Sequence, residues 1–241
     1  MKTIYNNQSL DDMVPGFTTV NVEGRGILPR RITPIDIQGR DGAKVIDQSL
    51  PIRELTVHYR MLAKNSVEYL EQINILHDCL HTNEDVVVEF TDEMHYRMGR
   101  LSSTEAPPYD FYRGFGSFTV LCQDPYKYRD LSPATGSSLS LFTYSQHNFK
   151  IKSITATVAT NRTGFEITNI ATGRKIILTG ALTAGQKIVM KPDDGILTIN
   201  GQNAMNRLDF IASDWHDFKI YSRNQITASQ AITLDLSERA L

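Results

Sequence analysis

Apolar and polar residues alternate along much of this chain, and that period of two predicts β-strands rather than helices. The clearest case lies between residues 55 and 61. Every second residue there is apolar, namely Leu55, Val57, Tyr59 and Met61. Because successive side chains of a strand point to opposite faces, this pattern predicts a strand with one buried face. His58 and Arg60 then lie on its exposed or inter-subunit face.

Turn residues punctuate the strands before this segment. Residues 17–22 predict a strand that ends at Gly24-Arg25-Gly26. The extended residues 30–37 contain Pro34, which cannot donate a hydrogen bond to a strand ladder and so predicts an edge strand or a bulge. A sharp turn, Gly39-Arg40-Asp41-Gly42, follows this stretch.

A hairpin and a further strand are predicted after residue 85. Residues 86–90 and the alternating residues 94–98 form two strands joined at Thr91-Asp92-Glu93. Residues 106–109 (Ala-Pro-Pro-Tyr) predict a loop. Residues 115–122 then alternate again, in a strand that ends at Asp124-Pro125-Tyr126.

One segment follows a helical period instead. Asn65 predicts the N-cap, and Glu68 stands three residues later, where it completes a capping box. The apolar stripe that follows has spacings of three and four: Val67, Leu70, Ile73, Leu76 and Leu80. Asn83 predicts the end of the helix. A helix this short is marginal alone, so its stripe is expected to pack on a sheet.

The second half shows short β segments and no helical period of useful length. They are rich in Ile, Val, Thr and Phe and span residues 150–159, 163–170, 174–179, 186–191, 195–200 and 216–221. The turns between them include Asp194-Gly195 and Asn200-Gly201. Such pairs favour type I′ hairpin turns, because both central residues there need a positive φ. Many short strands at this spacing predict a β-sandwich.

Length and charge then divide the chain. Its 241 residues suffice for one large or two modest domains. Residues 1–130 hold 14 Lys and Arg against 19 Asp and Glu, and residues 131–241 hold 11 against 8, so the net charges are −5 and +3. The small polar residues 132–138 predict a linker. We therefore expect a mainly β protein with domains at residues 1–131 and 132–241, both β-sandwiches, the first with one helix and a β-hairpin.

Composition excludes several classes of protein. A net charge of −2 does not favour a nucleic-acid binder, which usually carries a basic excess. Two distant cysteines, Cys79 and Cys122, do not make a disulfide framework, and we interpret both as buried apolar residues in a reducing compartment. The chain lacks an apolar run long enough for a membrane span or a signal peptide, so synthesis in a cytoplasm is expected.

Two clusters could carry chemistry. His77 and His81 stand four apart on the helix, a spacing that zinc sites use, with Cys79 between them. Without a second pair of ligands at a recognisable spacing, a solvated helix face is the better interpretation. Asp92, Glu93 and His95 gather acids and a base in one turn. Any charged hairpin turn has this composition, and no catalytic role is predicted for them.

The remaining candidates are also explained by structure. Asp193-Asp194 belongs to a predicted turn. Trp215, the sole tryptophan, could stack on a sugar, although a tryptophan at the edge of the core is the favoured interpretation. No nucleophile elbow or phosphate-binding loop is present. Neither a catalytic residue nor a metal or cofactor site is therefore predicted.

Arginine is concentrated early in the chain. Residues 1–130 contain ten Arg and four Lys. Arginine is favoured at interfaces because its planar guanidinium makes several contacts at once. This usage indicates an assembly surface, with the candidates Arg25, Arg30, Arg31, Arg40, Arg53 and Arg60.

The order of these motifs resembles the distal tail proteins of siphophages, the long-tailed phages and prophages found mainly in Gram-positive bacteria. The likeness rests on the Gly39–Gly42 turn, the Leu50-Pro51-x-Arg53 start of a strand, the single helix after it, and the strand ending at Asp124-Pro125-Tyr126. It covers residues 15–130, and residues 131–241 fit as a β-sandwich of the expected length.

The resemblance implies a structural virion protein. The first domain would be a belt domain that pairs with its neighbours to close a homo-hexameric ring, alone or stacked, and the second would be galectin-like. The ring would lie at the tail tip as a hub that joins the tail tube protein to the tail-associated baseplate protein, and often to receptor-binding proteins. It implies no enzyme activity, cofactor or metal. The mildly acidic first domain is not expected to bind DNA, and the sequence does not identify the residues of the oligomer interface.

Two other functions were weighed. A carbohydrate-binding adhesion module that contacts the host cell wall is the alternative, and it predicts an exposed aromatic platform around Trp215 or the tyrosines. Some members of the family carry an inserted module of this kind, for which the second domain has no room. An enzyme such as a wall hydrolase would need convergent acid and base groups, which these residues do not assemble.

Overall fold

A computed structural model describes residues 1–105 and 112–241. The predicted loop at residues 106–109 lies outside this range. Strands dominate the structure, so the prediction of a mainly β protein is confirmed. The chain separates into two compact units, one of residues 1–127 together with Leu241 and the other of residues 128–240. The break falls at the start of the strand Lys127–Asp130 (β10), four residues before the predicted boundary.

The first unit contains nine strands and two helices within the described residues. Its strands are Thr3–Tyr5 (β1), Gln8–Ser9 (β2), Phe17–Glu23 (β3), Arg31–Asp36 (β4), Ala43–Ser49 (β5), Arg53–Leu62 (β6), Val86–Phe90 (β7), Tyr96–Glu105 (β8) and Arg113–Cys122 (β9). Its helices are Leu10–Met13 (α1) and Ser66–Leu80 (α2). The four-residue α1 was not predicted.

Two layers of strands enclose the core of this unit. One follows the order β3-β6-β9-β8, and the other the order β2-β1-β7-β8. The alternation predicted for β6 is confirmed, since Leu55, Val57, Tyr59 and Met61 are all buried. The predicted hairpin is confirmed as well, because β7 pairs with β8 in antiparallel register.

The helix α2 begins as predicted, and its buried face includes Leu76 and Leu80 but not the whole predicted stripe. The Asn65 side chain accepts a hydrogen bond from the Glu68 N–H at 2.9 Å. The buried residues are Tyr69, Gln72, Leu76 and Leu80. Val67 and Leu70 are exposed, so their assignment to the buried stripe was wrong. The buried stripe is instead centred on Tyr69, whose ring fills more of the core than a valine could.

The second unit holds eight more strands and no α-helix among its described residues. The strands are Ala134–Ser140 (β11), Lys150–Thr157 (β12), Arg162–Asn169 (β13), Lys175–Leu182 (β14), Lys187–Lys191 (β15), Ile196–Ile199 (β16), Gln202–Asn203 (β17) and Gln225–Ala240 (β18). The long β18 pairs with β13 near its start and with β12 further along, so it connects these strands within one continuous sheet. A core that includes Ile154, Ile167 and Leu234 lies within this sandwich.

Three predictions for this unit need correction. Residues 132–138 are not a linker, because most of them belong to β11, which pairs with β18. Backbone pairing of this kind does not require apolar side chains, so the small polar residues did not indicate a strand. Residues 216–221 form no strand: a 3₁₀ turn at Trp215–Asp217 and irregular chain place Trp215, Phe218 and Ile220 in the core. The sixteen-residue β18 was missed, although Ile232, Leu234 and Leu236 alternate with polar residues in its sequence.

Only one of the two predicted type I′ turns is confirmed. At Asp194-Gly195 the prediction was wrong, because Pro192–Asp194 form a 3₁₀ turn and only Gly195 of the pair has a positive φ. Asn200 and Gly201 have φ angles of 52° and 78°, which is the positive-φ pair that a type I′ turn requires. They join β16 to β17. Within the described ranges no helix is long and apolar enough to cross a membrane.

Candidate assembly surface

The strands β4 and β5 form a hairpin, called the arm here (residues 31–49), that the rest of the first unit leaves uncovered. Every residue of both strands is exposed. Four large apolar side chains stand among them: Ile32, Ile35, Val45 and Ile46. Single exposed apolar residues are common, but a strand pair with no buried face needs a partner to be stable. The arm is therefore the clearest candidate contact surface in this unit.

The two strands of the arm pair only with each other among the described residues. Their outer edges present unpaired N–H and C=O groups, which favour pairing with another chain. A register shift between Thr33 and Pro34 confirms the bulge predicted at the proline. The predicted turn Gly39-Arg40-Asp41-Gly42 is the tip of the arm, with positive φ at both glycines.

The arm carries mixed charge. Its three cationic side chains, Arg31, Arg40 and Lys44, are matched by three carboxylates, those of Asp36, Asp41 and Asp47. A surface with no net charge and interspersed signs suits a neighbouring protein better than a polyanion.

A buried arginine holds the root of the arm. Arg53, the first residue of β6, is only 2% exposed. Its Nη1 donates to the carbonyl oxygens of Gly24 and Gly26 at 2.6 and 3.0 Å, and its Nε donates to that of Pro125 at 3.1 Å. One side chain therefore ties the chain that enters the arm to the segment that closes β9. Arg53 was predicted to lie on an assembly surface, and that prediction was wrong because its guanidinium binds backbone carbonyls inside the unit.

A second arginine fixes the same root from outside. The guanidinium of Arg25 contacts the Asp92 carboxylate at 3.0 Å and lies 5.1 Å from the centre of the Phe90 ring. Both partners belong to the turn region of the β7–β8 hairpin. The arm consequently projects from a root that is fixed on two sides.

Next to Asp92, the carboxylate of Glu93 is paired with two cations. Arg97 is 1% exposed and donates from Nη1 to Glu93 Oε2 at 2.9 Å, and Lys127 Nζ contacts Glu93 Oε1 at the same distance. Burial alone would raise the pKa of Glu93, but these two hydrogen bonds outweigh it and lower the pKa to about 2. Burial also lowers the pKa of Arg53, and the nearby Arg97 adds to that effect.

The other early arginines remain on the surface. Arg30, Arg31, Arg40 and Arg60 are exposed, and two of them lie on the arm. They stay candidates for contacts with a neighbouring subunit. Arginine content alone does not separate these exposed side chains from the buried anchor Arg53.

The candidate metal cluster on α2 is a pair of stacked rings. His77 and His81 lie 5.4 Å apart between ring centres, nearly parallel at 13°. Cys79 is half-buried, and burial raises the pKa of its thiol. Across the part of the chain that the structure describes, no three His, Cys, Asp or Glu side chains are grouped to hold a metal ion.

The acidic turn and the tryptophan also have structural roles. Asp92 and Glu93 are paired with cations, as described above, and Glu93 is ionised at neutral pH. Asp193 Oδ2 accepts a hydrogen bond from the Ile151 N–H at 2.9 Å. Trp215 is 3% exposed in the second core, so a sugar contact at this residue is excluded by its burial.

Sequence reasoning did not identify the arm as a hairpin. It predicted the extended chain before the turn and the turn itself, but not β5. The signal was present in Ala43–Ser49, where Val45 and Ile46 stand among polar residues, yet two adjacent apolar residues do not alternate. Whether these residues contact another chain cannot be inferred from such a pattern.

Comparisons with known proteins find relatives among the tail proteins of phages. The family described as "Siphovirus-type tail component, C-terminal domain" matches residues 148–239. The distal tail protein of Bacillus phage SPP1 is 27% identical in an alignment that covers 99% of this chain and 95% of the relative. Residues 148–239 thus match the model of this family, and the whole chain is similar to a siphophage distal tail protein.

Solved structures of distal tail and baseplate proteins share the fold. The crystal structure of the SPP1 distal tail protein superposes with a TM-score of 0.85 at 21% identity and covers 100% of this chain and 99% of its own. A chain of the phage P2 baseplate in its activated, calcium-bound conformation gives 0.57 at 11% identity, with coverage of 99% and 97%. The likeness therefore extends over both units and is not confined to the second.

Proposed function

We propose that this chain forms a closed ring of six copies at the tip of a phage tail. There it acts as a hub that joins the tail tube protein to the tail-associated baseplate protein and, at the side, to receptor-binding proteins. The observation that carries the proposal is the arm, an anchored strand pair whose apolar side chains and hydrogen-bonding edges find no cover in the unit that bears them.

The geometry of the arm favours a ring over a simple dimer. A projecting arm that contacts a different surface on the next copy makes a heterologous interface. Heterologous interfaces generate rings when the rotation closes and filaments when it does not. The SPP1 relative is described as a paradigm of the hub of the adsorption apparatus in phages that infect Gram-positive bacteria, and a ring suits a hub on a tubular tail.

Other features support a structural role without catalysis. The carboxylates of the β7–β8 turn are engaged by arginine and lysine, and the two cysteines are free thiols. Free thiols suit assembly in the host cytoplasm before release of the virion. Residues 1–130 carry a net charge of −5, so the ring domain is not expected to retain DNA that passes through it.

The ring is tested by the mass and shape of the purified protein. Light scattering after size exclusion should give about 163 kDa, six times the 27.2 kDa of one chain, or twice that for stacked rings. Negative-stain images should show rings with an open centre. A chain that stays monomeric at high concentration, both alone and mixed with its tail tube protein, would contradict the proposal.

A further inference from the structure

The second unit exposes an aromatic cluster that no assembly role of the arm explains. Phe142 and Tyr144 follow β11 and are 55% and 92% exposed. Their rings meet edge to face, 5.2 Å apart and at 73°. Tyr221, from the turn before β18, is also exposed beside them. Aromatic rings left in water next to polar groups are typical of binding sites rather than of inert surface.

These rings border a preformed cavity of about 310 Å³, lined by residues 142–146 and 221–223. Three hydrogen bonds join its two walls. The Ser222 hydroxyl donates to the Thr143 carbonyl oxygen at 2.6 Å and accepts from the Thr143 N–H at 2.9 Å. The Arg223 N–H donates to the Leu141 carbonyl oxygen at 2.7 Å. The cavity is therefore held open by the backbone and does not depend on a loose loop.

A cation stands at the edge of this cavity. The guanidinium of Arg223 lies 5.0 Å from the centre of the Phe142 ring and forms no ion pair with any residue that the structure describes. Its backbone has a φ of +66°, an uncommon conformation for a residue with a side chain. No lining residue is Asp or Glu, so the lining carries one positive charge and no negative one.

We propose that this cavity binds a saccharide that carries an anionic group, such as a sugar phosphate or a uronic acid. One sugar ring packs its C–H face on Tyr144 or Phe142, and its hydroxyls bond to the Gln146 side chain of the lining. The phosphate or carboxylate pairs with Arg223, whose planar donors match such groups. A volume near the lower limit of ligand pockets suits one or two sugar rings.

The angle between the rings separates this ligand from a nucleotide. A flat base is best held between parallel faces, and rings at 73° offer no such slot. A puckered sugar needs only one ring face and polar groups around it. The lining supplies both, and its unpaired cation favours an anionic sugar over a neutral one.

Four small probes test the proposal on the purified full chain: glucose 1-phosphate, glucose, inorganic phosphate and AMP. Saturation-transfer NMR and titration should show glucose 1-phosphate bound with a millimolar Kd, tighter than any of the other three. Tyr144→Ala and Arg223→Gln should each weaken it roughly tenfold, while the matched controls Phe210→Ala and Lys219→Gln, at other exposed positions, should not. Because these side chains are exposed, unchanged thermal unfolding will show that the variants fold.

Four outcomes of these measurements would overturn the proposal. Equal binding of inorganic phosphate would reduce the site to an anion contact, and tighter binding of AMP would make it a nucleotide site. Absence of binding at 20-fold the expected Kd, or unchanged binding in both variants, would also overturn the proposal. The measurement reports on a cavity of one chain, so its outcome is independent of whether the ring forms.

Discussion

The Nη1 of Arg53 donates a 2.6 Å hydrogen bond to the carbonyl oxygen of Gly24. This contact joins a core strand to the chain that leaves the core for the arm. Since the same guanidinium also reaches Gly26 and Pro125, three backbone carbonyls depend on one buried cation. Removal of the cation leaves these acceptors without their donor, which is more costly than loss of a solvated contact.

We expect Arg53→Met to lower the free energy of unfolding by roughly 3 kcal/mol, because it keeps the volume but removes the donors of three part-buried hydrogen bonds. Urea unfolding followed by circular dichroism will measure the change. Arg60→Met is the matched control on the same strand, where the side chain is exposed, and should change the stability by less than about 0.5 kcal/mol. Equal effects of the two substitutions would show that Arg53 is not an anchor.

Gly24 and Gly26 should respond differently to alanine. Gly24 has a φ of +82°, and a Cβ there would lie 1.9 Å from the Glu54 carbonyl oxygen. Nothing lies within 4 Å of the corresponding Cβ at Gly26. Gly24→Ala should therefore lower the free energy of unfolding by more than about 2 kcal/mol, while Gly26→Ala should change it by less than about 0.5 kcal/mol. Thermal unfolding of both variants distinguishes a required glycine from a tolerated one.

Acid should weaken the first unit through Glu93. Its folded pKa of about 2 lies below the ordinary value of 4.5, so the ionised carboxylate stabilises the fold fully above about pH 4.5. That stabilisation is lost as the pH falls through 2. The difference between the two pKa values corresponds to roughly 3 kcal/mol, and solvent screens the pair little because the Glu93 side chain is only 12% exposed. The urea concentration at the midpoint of unfolding should increase from pH 2 to pH 6, and it should increase less in Glu93→Gln than in the wild type.

Glu166 offers the matched control for this titration. Hydrogen bonds from Lys175 and Thr168 lower its pKa too, but both ion-pair partners are nearly half exposed, so solvent screens the pair. Glu166→Gln should change the pH dependence much less than Glu93→Gln. A pH profile that is the same in wild type and Glu93→Gln would show that the buried pair contributes nothing to acid stability.

The two thiols should differ in reactivity. Burial raises the pKa of Cys122 to about 11, and its side chain is inaccessible in the first core. Cys79 is half-buried on α2. We expect a thiol reagent at pH 8 to modify Cys79 in the folded protein and Cys122 only after denaturation. Cys79→Ser should therefore abolish the reaction of the folded chain, and a rapid residual reaction would contradict the burial of Cys122.

Sequence pattern predicted the elements that lie on a core. The period-two strand β6, the hairpin β7–β8 and the cap of α2 at Asn65 all follow from local rules, because one face of each element must be buried. The same rules missed β11, a strand of mostly small polar residues that forms because its backbone pairs with that of β18. They also predicted a strand at residues 216–221, where a 3₁₀ turn and irregular chain place Phe218 and Ile220 in the core.

The assembly surface was harder to predict for a different reason. The arm has no buried face, so its sequence shows no regular alternation of apolar and polar residues. Only the structure shows that its apolar side chains are exposed. Arginine usage pointed to this part of the chain, but burial decided that Arg53 anchors while Arg40 remains free for a neighbour. Contacts between subunits are not encoded in any single-chain pattern.

The most direct test of the ring is a charge placed on the arm. Ile32 and Ile46 are 54% and 61% exposed, so the double variant Ile32→Asp, Ile46→Asp should fold normally yet lose the apolar contact with its neighbour. Ile211→Asp, at a 99% exposed position of the second unit, is the control. Light scattering should give the mass of one chain for the arm variant and of six chains for the control. A complete ring from the arm variant would contradict the account.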